Sequence, residues 1–165
     1  MSKAKGPVYT VYFRRRRECK TDYQKRLALV KSGKPRMVVR KSNAGIMVQF
    51  VDYDSKGDKI LSCANGKSLK KLYSWPSKRN VYTAYLCGLL AAKKAHKAKV
   101  SEFVLDLGLQ IPSKGSVLFA ALKGAVDAGL KTSFSEDMLP KEKLTNVPEA
   151  IKGKFEEVKG KISSS

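Results

Sequence analysis

The chain has 165 residues, 42% of them apolar, and sets 34 Lys and Arg against 14 Asp and Glu, for a formal net charge of +20 at pH 7. That length fits one domain and that apolar content supports a core, so the chain as a whole is not disordered. Three classes are excluded: no run of about 18 apolar residues marks a transmembrane helix, the polar stretch Met1 to Tyr9 lacks the apolar centre of a secretory signal, and Cys19, Cys63 and Cys87 are odd in number and far apart, unlike a disulfide framework or thiolate metal site, which fits a reducing cytosol.

Residues 1–20 read as a basic arm, with Gly6, Pro7, dense charge and no helical period. The first 45 residues hold fourteen Lys and Arg against only Glu18 and Asp22, a local +12, while the other 120 carry +8. Charge this dense repels itself unless a polyanion holds it, and phosphate backbones release condensed counterions when neutralised. A basic arm ahead of a globular body therefore points to nucleic acid before catalysis. A membrane reading needs a basic amphipathic helix with bulky apolar anchors. Only Tyr12 and Phe13 stand beside the arginine run.

Thr21 or Asp22 is expected to cap a helix on which Tyr23, Leu27 and Val30 form one apolar stripe. Ser32-Gly33 and Pro35 stop it. Three strands follow, Arg36 to Lys41, Ile46 to Tyr53 and Lys59 to Cys63, separated by the turns Ser42 to Gly45 and Asp54 to Asp58, so an antiparallel meander is expected. In the first strand Arg36, Val38 and Arg40 share one face and Met37, Val39 and Lys41 the other, so the strand ends are expected to project charge. Ser68 to Tyr73 predicts a short helix broken at Trp75-Pro76. Asn80 caps the longest helix, to about Lys97, whose Tyr85, Gly88, Ala91, Ala92 and Ala95 form a small-residue seam for packing on a sheet. Lys93, Lys94, Lys97 and Lys99 suit its C-terminal end. Phe103 to Leu109 reads as a strand covered on both faces. A helix from Ser116 to Ala128, closed by Gly129, leads to a last strand at Lys131 to Phe134, parallel to the previous one. The fold class is α/β, a mixed sheet with flanking helices. From Ser135 onward six acidic residues balance six lysines. There Pro148 starts a helix with the stripe Ile151, Phe155, Val158 and Ile162, docked on its own domain or kept for a protein partner. The expected organisation is an arm at 1–20, an α/β domain at 21–134 and a tail with a short helix at 135–165.

Arg14, Arg15, Arg16 and Arg17 are the strongest functional signal, because guanidinium pairs bidentately with phosphate and stacks on bases. Tyr12, Phe13 and Tyr23 interleave with the basic residues, and aromatic faces suit unstacked RNA bases. Arg36, Arg40, Lys41, Ser42 and Asn43 make a second set at a strand and its turn, with Ser and Asn able to read a 2′-hydroxyl or base edge. Gly108 to Gly115 superficially resembles a phosphate loop, but Ser113 and Gly115 stand where a Walker motif needs Gly and Ser or Thr. Lys114 and the amides of the next helix then either hold one backbone phosphate or form a plain connection. His96 is the only histidine and reads as solvated. Asp52, Asp54 and Asp58 sit at a turn, and Asp106 alone is placed as a metal-nuclease carboxylate would be. No metal, cofactor, small-molecule substrate or enzymatic activity is expected.

Several ordered motifs resemble one family. Arg14 to Tyr23 (RRRRECKTDY), Ser32 to Asn43 (SGKPRMVVRKSN), Ala84 to Ala91, Leu105 to Leu109, and Lys114 to Ser116 followed by Phe119 to Ala125 are similar to the archaeal-type large-subunit ribosomal protein L-eighteen family, over roughly residues 9–140. The resemblance implies a cytoplasmic ribosomal protein that binds 5S rRNA and helps anchor it to the large-subunit rRNA in the central protuberance, beside a neighbouring 5S-binding ribosomal protein and other large-subunit proteins. It also implies a ribonuclease-H-like topology without a catalytic site. Carried over, it makes the arm from Arg14 to Arg26, with Lys20, Thr21 and Arg26, and the turn Arg40 to Asn43 the expected rRNA contacts. Lys34, Lys67 and Lys70 complete the candidate set. The family pattern has Gly where Cys19, Ser74 and Ala92 stand, and Cys disfavours the positive φ that Gly permits. Two other readings compete. A metal nuclease on the related fold would depend on Asp106, and a coating protein blind to sequence would bind DNA and any RNA equally.

Overall fold

The computed structural model describes residues 6–76 and 78–164, so the first five residues of the expected arm lie outside the described residues. The chain opens with α1 (Arg14–Arg17) and α2 (Tyr23–Lys31), then forms β1 (Arg36–Lys41), β2 (Ile46–Asp52) and β3 (Lys59–Asn65). It continues through α3 (Gly66–Tyr73), α4 (Val81–Lys97), β4 (Val104–Asp106) and α5 (Val117–Asp127). A 3-10 turn at Glu136–Met138, α6 (Lys141–Thr145) and α7 (Glu149–Ser164) complete it.

The sheet order is β3-β2-β1-β4, with β1, β2 and β3 antiparallel and β4 parallel to β1. This is the α/β mixed sheet with flanking helices that the pattern predicts. The finer ribonuclease-H-like assignment rests on the resemblance alone. Strand alternation puts Met37 and Val39 opposite Phe50 and Val48, and all four are fully buried on the face that α4 and α5 cover. Each such side chain contributes roughly 1.5–3 kcal/mol on burial. Phe50 meets Phe103 edge-on, with ring centroids 5.4 Å apart.

Side-chain caps fix the helix starts. The Asp22 carboxylate accepts from the amides of Gln24 (3.1 Å) and Lys25 (3.0 Å), Asn65 from Ser68 (2.7 Å), and Asn80 from Thr83 (2.7 Å). Each cap satisfies an amide that the helix itself leaves unbonded. At the end of α3 Ser74 sits left-handed at φ 52, and after α1 Cys19 does the same at φ 48. Two of the three positions at which the resemblance leads one to expect Gly thus hold the backbone that favours glycine. The third, Ala92, is fully buried, with its methyl in the core.

Five expectations are corrected. The arm carries one helical turn, α1, because arginine is a good helix former and Cys19 turns the chain out after it. The stripe of α2 is not buried: Tyr23 is 46% and Leu27 55% exposed, since no element covers that side. Gly88 serves α5 rather than the sheet. A Cβ there would stand 2.0 Å from the Ala121 carbonyl oxygen, and one at Gly124 2.2 Å from that of Tyr85, so the two helices cross backbone to backbone. β4 ends at Asp106 because its carboxylate accepts from the Gly108 amide (2.9 Å) and Gly108 adopts φ 63. The last strand shrinks to one parallel bridge, Glu102↔Lys131, since a three-residue β4 offers it little ladder.

The segment after residue 135 ends in a long helix that docks on its own domain. Phe155, Val158 and Ile162 are buried, and the Phe155 ring lies 5.7 Å from Tyr85, 5.8 Å from Tyr82 and 6.1 Å from Trp75. Trp75 is itself buried, its indole N–H donating to Thr83 Oγ1 at 2.9 Å. All three cysteines are free, and burial, then the neighbouring Cys63, pushes the Cys87 thiol up to about 12. No helix among the described residues is long and apolar enough to cross a membrane.

Candidate nucleic-acid interface

Strand register decides which loops share an end of the sheet. Lys41 pairs with Ile46, Met47 with Asn65, and the parallel β4 reaches Asp106 opposite Val38. The turn Ser42 to Gly45, the start of α3 and the loop after β4 therefore emerge together. Lys41, Ser42, Asn43, Lys67, Lys70 and Lys114 are exposed there. Lys71, Lys78 and Arg79, also exposed, extend the α3 group. The sequence reading passed over these three, although Lys71 follows Lys67 at helical spacing. Ser42 Oγ is engaged within its turn, accepting from the Gly45 amide at 3.2 Å.

The arm lies fully on the surface. At 3.6 residues per turn, four consecutive arginines radiate around the whole of α1, and none is buried. Arg16 stacks over Tyr12 at 4.9 Å, and Arg15 Nε donates to Thr21 Oγ1 at 2.8 Å. Among the described residues, no ion pair involves Arg14, Arg15, Arg16 or Arg17. Phe13 is 86% exposed. Lys20 pairs with Glu18 (2.7 Å) and Lys34 with Glu102 (2.6 Å), both in the open. Such solvent-screened pairs contribute little and exchange readily for phosphate.

Three candidate arginines are paired to the protein's own carboxylates, one buried and two partly exposed. Arg26 Nη2 donates to Asp58 at 2.8 Å. Arg36 is 3% exposed, donating through Nη2 to Asp58 (2.8 Å) and Nη1 to Asp106 (2.9 Å). Arg40 Nη2 donates to Asp106 Oδ1 (2.9 Å) and Nη1 to the Asp106 carbonyl (2.7 Å). The expectation that β1 projects charge from its ends is thus corrected for Arg36: on the sheet face away from α4 and α5 its side chain is buried between two carboxylates, and a phosphate could reach it only by breaking those pairs. Arg40 stays partly open. Asp106 is buried, which raises a carboxyl, yet the Arg40 hydrogen bond and charge, the Gly108 amide and Arg36 together hold it below the ordinary aspartate value. It is a structural counter-ion, its oxygens taken by these donors. Among the described residues no group of three His, Cys, Asp or Glu is assembled as a cation site.

Between the arm with α2 and the loop after β4 lies a cleft of about 590 Å³. Five cations line it, Arg15, Lys20, Lys25, Arg26 and Arg40. Its apolar lining is Leu29, Leu105, Leu107, Leu109 and Pro112, and Gln110 lines it as well. The sequence alone marks neither Lys25 nor these apolar residues as contacts, although Leu105 to Leu109 carries one of the family-like motifs, because nothing local links positions 15–29 to positions 105–112. The phosphate-loop candidate at Lys114 is partly closed, with the Gly115 amide donating to the Met138 carbonyl at 3.1 Å.

A family model described as "Ribosomal large subunit proteins 60S L5, and 50S L18" matches residues 8–102. The chain is 51% identical over 140 residues to the large ribosomal subunit protein uL18 of Korarchaeum cryptofilum, covering 84% of this chain and 71% of that protein. It is 50% identical over 137 residues to the protein of the same name from Aeropyrum pernix, covering 82% and 64%. It is 49% identical over 139 residues to that of Methanoregula boonei, covering 84% and 80%.

Proposed function

Because the chain belongs to the family of ribosomal large-subunit proteins 60S L5 and 50S L18, a family of structural components and not enzymes, we propose that its specific partner is 5S rRNA. In this reading it helps anchor 5S rRNA to the large-subunit rRNA in the central protuberance, beside a neighbouring 5S-binding ribosomal protein. The observation that carries the reading is the arm: four arginines on one exposed turn, flanked by Tyr12 and Phe13, with no carboxylate paired to them among the described residues. Charge without an internal partner is what a phosphate backbone neutralises, and exposed aromatic rings beside it suit unstacked bases. The basic loops at the shared end of the sheet add a second, folded contact region. The organisation into arm, α/β domain and C-terminal segment is part of the same proposal.

Replacing Arg14, Arg15, Arg16 and Arg17 together with Ala tests it. Each phosphate contact contributes about 0.7–0.9 to the slope of log affinity against log salt, so the slope for 5S rRNA should fall by about 3. The melting temperature should not move, because these side chains are fully exposed. An unchanged slope would mean the arm faces something other than RNA.

A further inference from the structure

We propose that the cleft between the arm and the loop after β4 receives one unstacked base of the bound RNA, with its phosphate at the cationic lip. The inference rests on the RNA-binding reading above and adds a base-selective pocket to it. At about 590 Å³ the cleft is within the range of small-molecule sites, and roomy for one nucleotide. Its lining supplies both kinds of contact that a nucleotide needs. Leu29, Leu105, Leu107, Leu109 and Pro112 offer apolar surface to a flat ring, and Arg15, Lys20, Lys25, Arg26 and Arg40 bring positive charge.

The two carboxylates in the cleft do not repel a phosphate strongly, because both are engaged. Asp22 caps α2 through the Gln24 and Lys25 amides, and Asp106 is held between Arg36, Arg40 and the Gly108 amide. Arg15, by contrast, bonds only the neutral Thr21 hydroxyl, and Lys25 reaches Asp22 loosely at 3.7 Å. These two cations are therefore the ones free to take the phosphate.

Gln110 supplies a polar group among the cleft's lining residues. Its Oε1 is buried and has no hydrogen-bond partner, and an orphaned acceptor is costly to the folded protein. A turn of the Gln110 side chain into the cleft would let Oε1 accept from an N–H donor on the edge of a base, which an aliphatic side chain from a protein neighbour cannot supply. Leu109, 56% exposed, sits beside it as an apolar lip. Gly108 makes room for the Arg40 guanidinium in the lining, since a Cβ there would stand 3.0 Å from Arg40 Cζ.

The test is an abasic scan. Single-stranded positions of 5S rRNA are made abasic one at a time, and affinity is measured for the full chain, for Gln110→Leu and for Leu109→Asp. Both substitutions are at positions that reach the surface, and melting curves confirm that the variants fold. The expected result is one position whose base, when removed, weakens wild-type binding about tenfold, in line with the loss of one stacked base. At that position the two variants, already weakened, should lose less than about twofold more, the non-additivity of a shared contact. If the variants bind weakly but couple to no position, the cleft holds something other than a base, such as a protein side chain, and the inference is overturned. If wild type prefers 5S rRNA to no other RNA, the 5S reading itself falls and takes the inference with it.

Discussion

Asp106→Asn separates a structural carboxylate from a catalytic one. In the native protein Asp106 faces Arg36, whose side chain is 3% exposed, and Arg40, which is 37% exposed. The substitution keeps the shape and removes the charge, leaving Arg36 with Asp58 alone. Breaking a buried pair costs roughly 3–5 kcal/mol. Asp58 remains and the Arg40 pair is screened by solvent, so the cost should be near the low end, about 3 kcal/mol. For a chain of this size that is a fall of roughly 6–12 °C in melting temperature. The pH dependence has a definite sign. The folded carboxyl is held below its ordinary value, so its contribution is complete above about pH 4, the unfolded value, and is lost as pH falls through the folded one. Melting curves of wild type and variant should therefore differ fully near neutrality and converge in acid. A gap below about 1 °C at pH 7, or one that widens toward acid, would refute the paired-carboxylate account.

Two further substitutions probe the backbone. Gly88→Ala should cost about 3 kcal/mol or more by denaturant unfolding, because its Cβ would collide with the α5 backbone. Gly153→Ala on α7, where nothing lies within 4 Å, should instead gain about 0.5–1 kcal/mol; equal effects would contradict the close crossing. Ser74→Gly should raise the denaturant midpoint by an amount worth about 0.5–1 kcal/mol, by relieving a left-handed residue with a side chain, and a loss would mean that the Ser74 side chain is needed.

What the sequence made legible was local. Asn80 as a cap, the meander of β1 to β3 and the stop at Ser32-Gly33 depend on residues within a few positions of one another. The arginine run was equally plain, since only Glu18 and Asp22 oppose the fourteen basic residues of the first 45 positions. The fate of Arg36 was not legible, because Asp58 and Asp106 lie 22 and 70 positions away and β-alternation gives only a face, not what covers it. Gly88 was read toward the sheet because a small residue fits either a sheet or a helix, and only the packing of α5 decides between them. The exposed stripe of α2 shows the same limit, as helical period reveals an apolar face without showing that anything packs on it. The cleft could not be foreseen at all, since the arm and the loop after β4 meet only in three dimensions.

The measurement that tests the central claim most directly is a titration of the full chain against 5S rRNA, with an unrelated RNA of equal length as competitor, at several salt concentrations. The account predicts that preference for 5S rRNA persists as salt rises and total affinity falls, because shape and base contacts remain when the counterion term weakens. Equal competition at every salt would leave only a basic surface that coats any nucleic acid, and would contradict the claim.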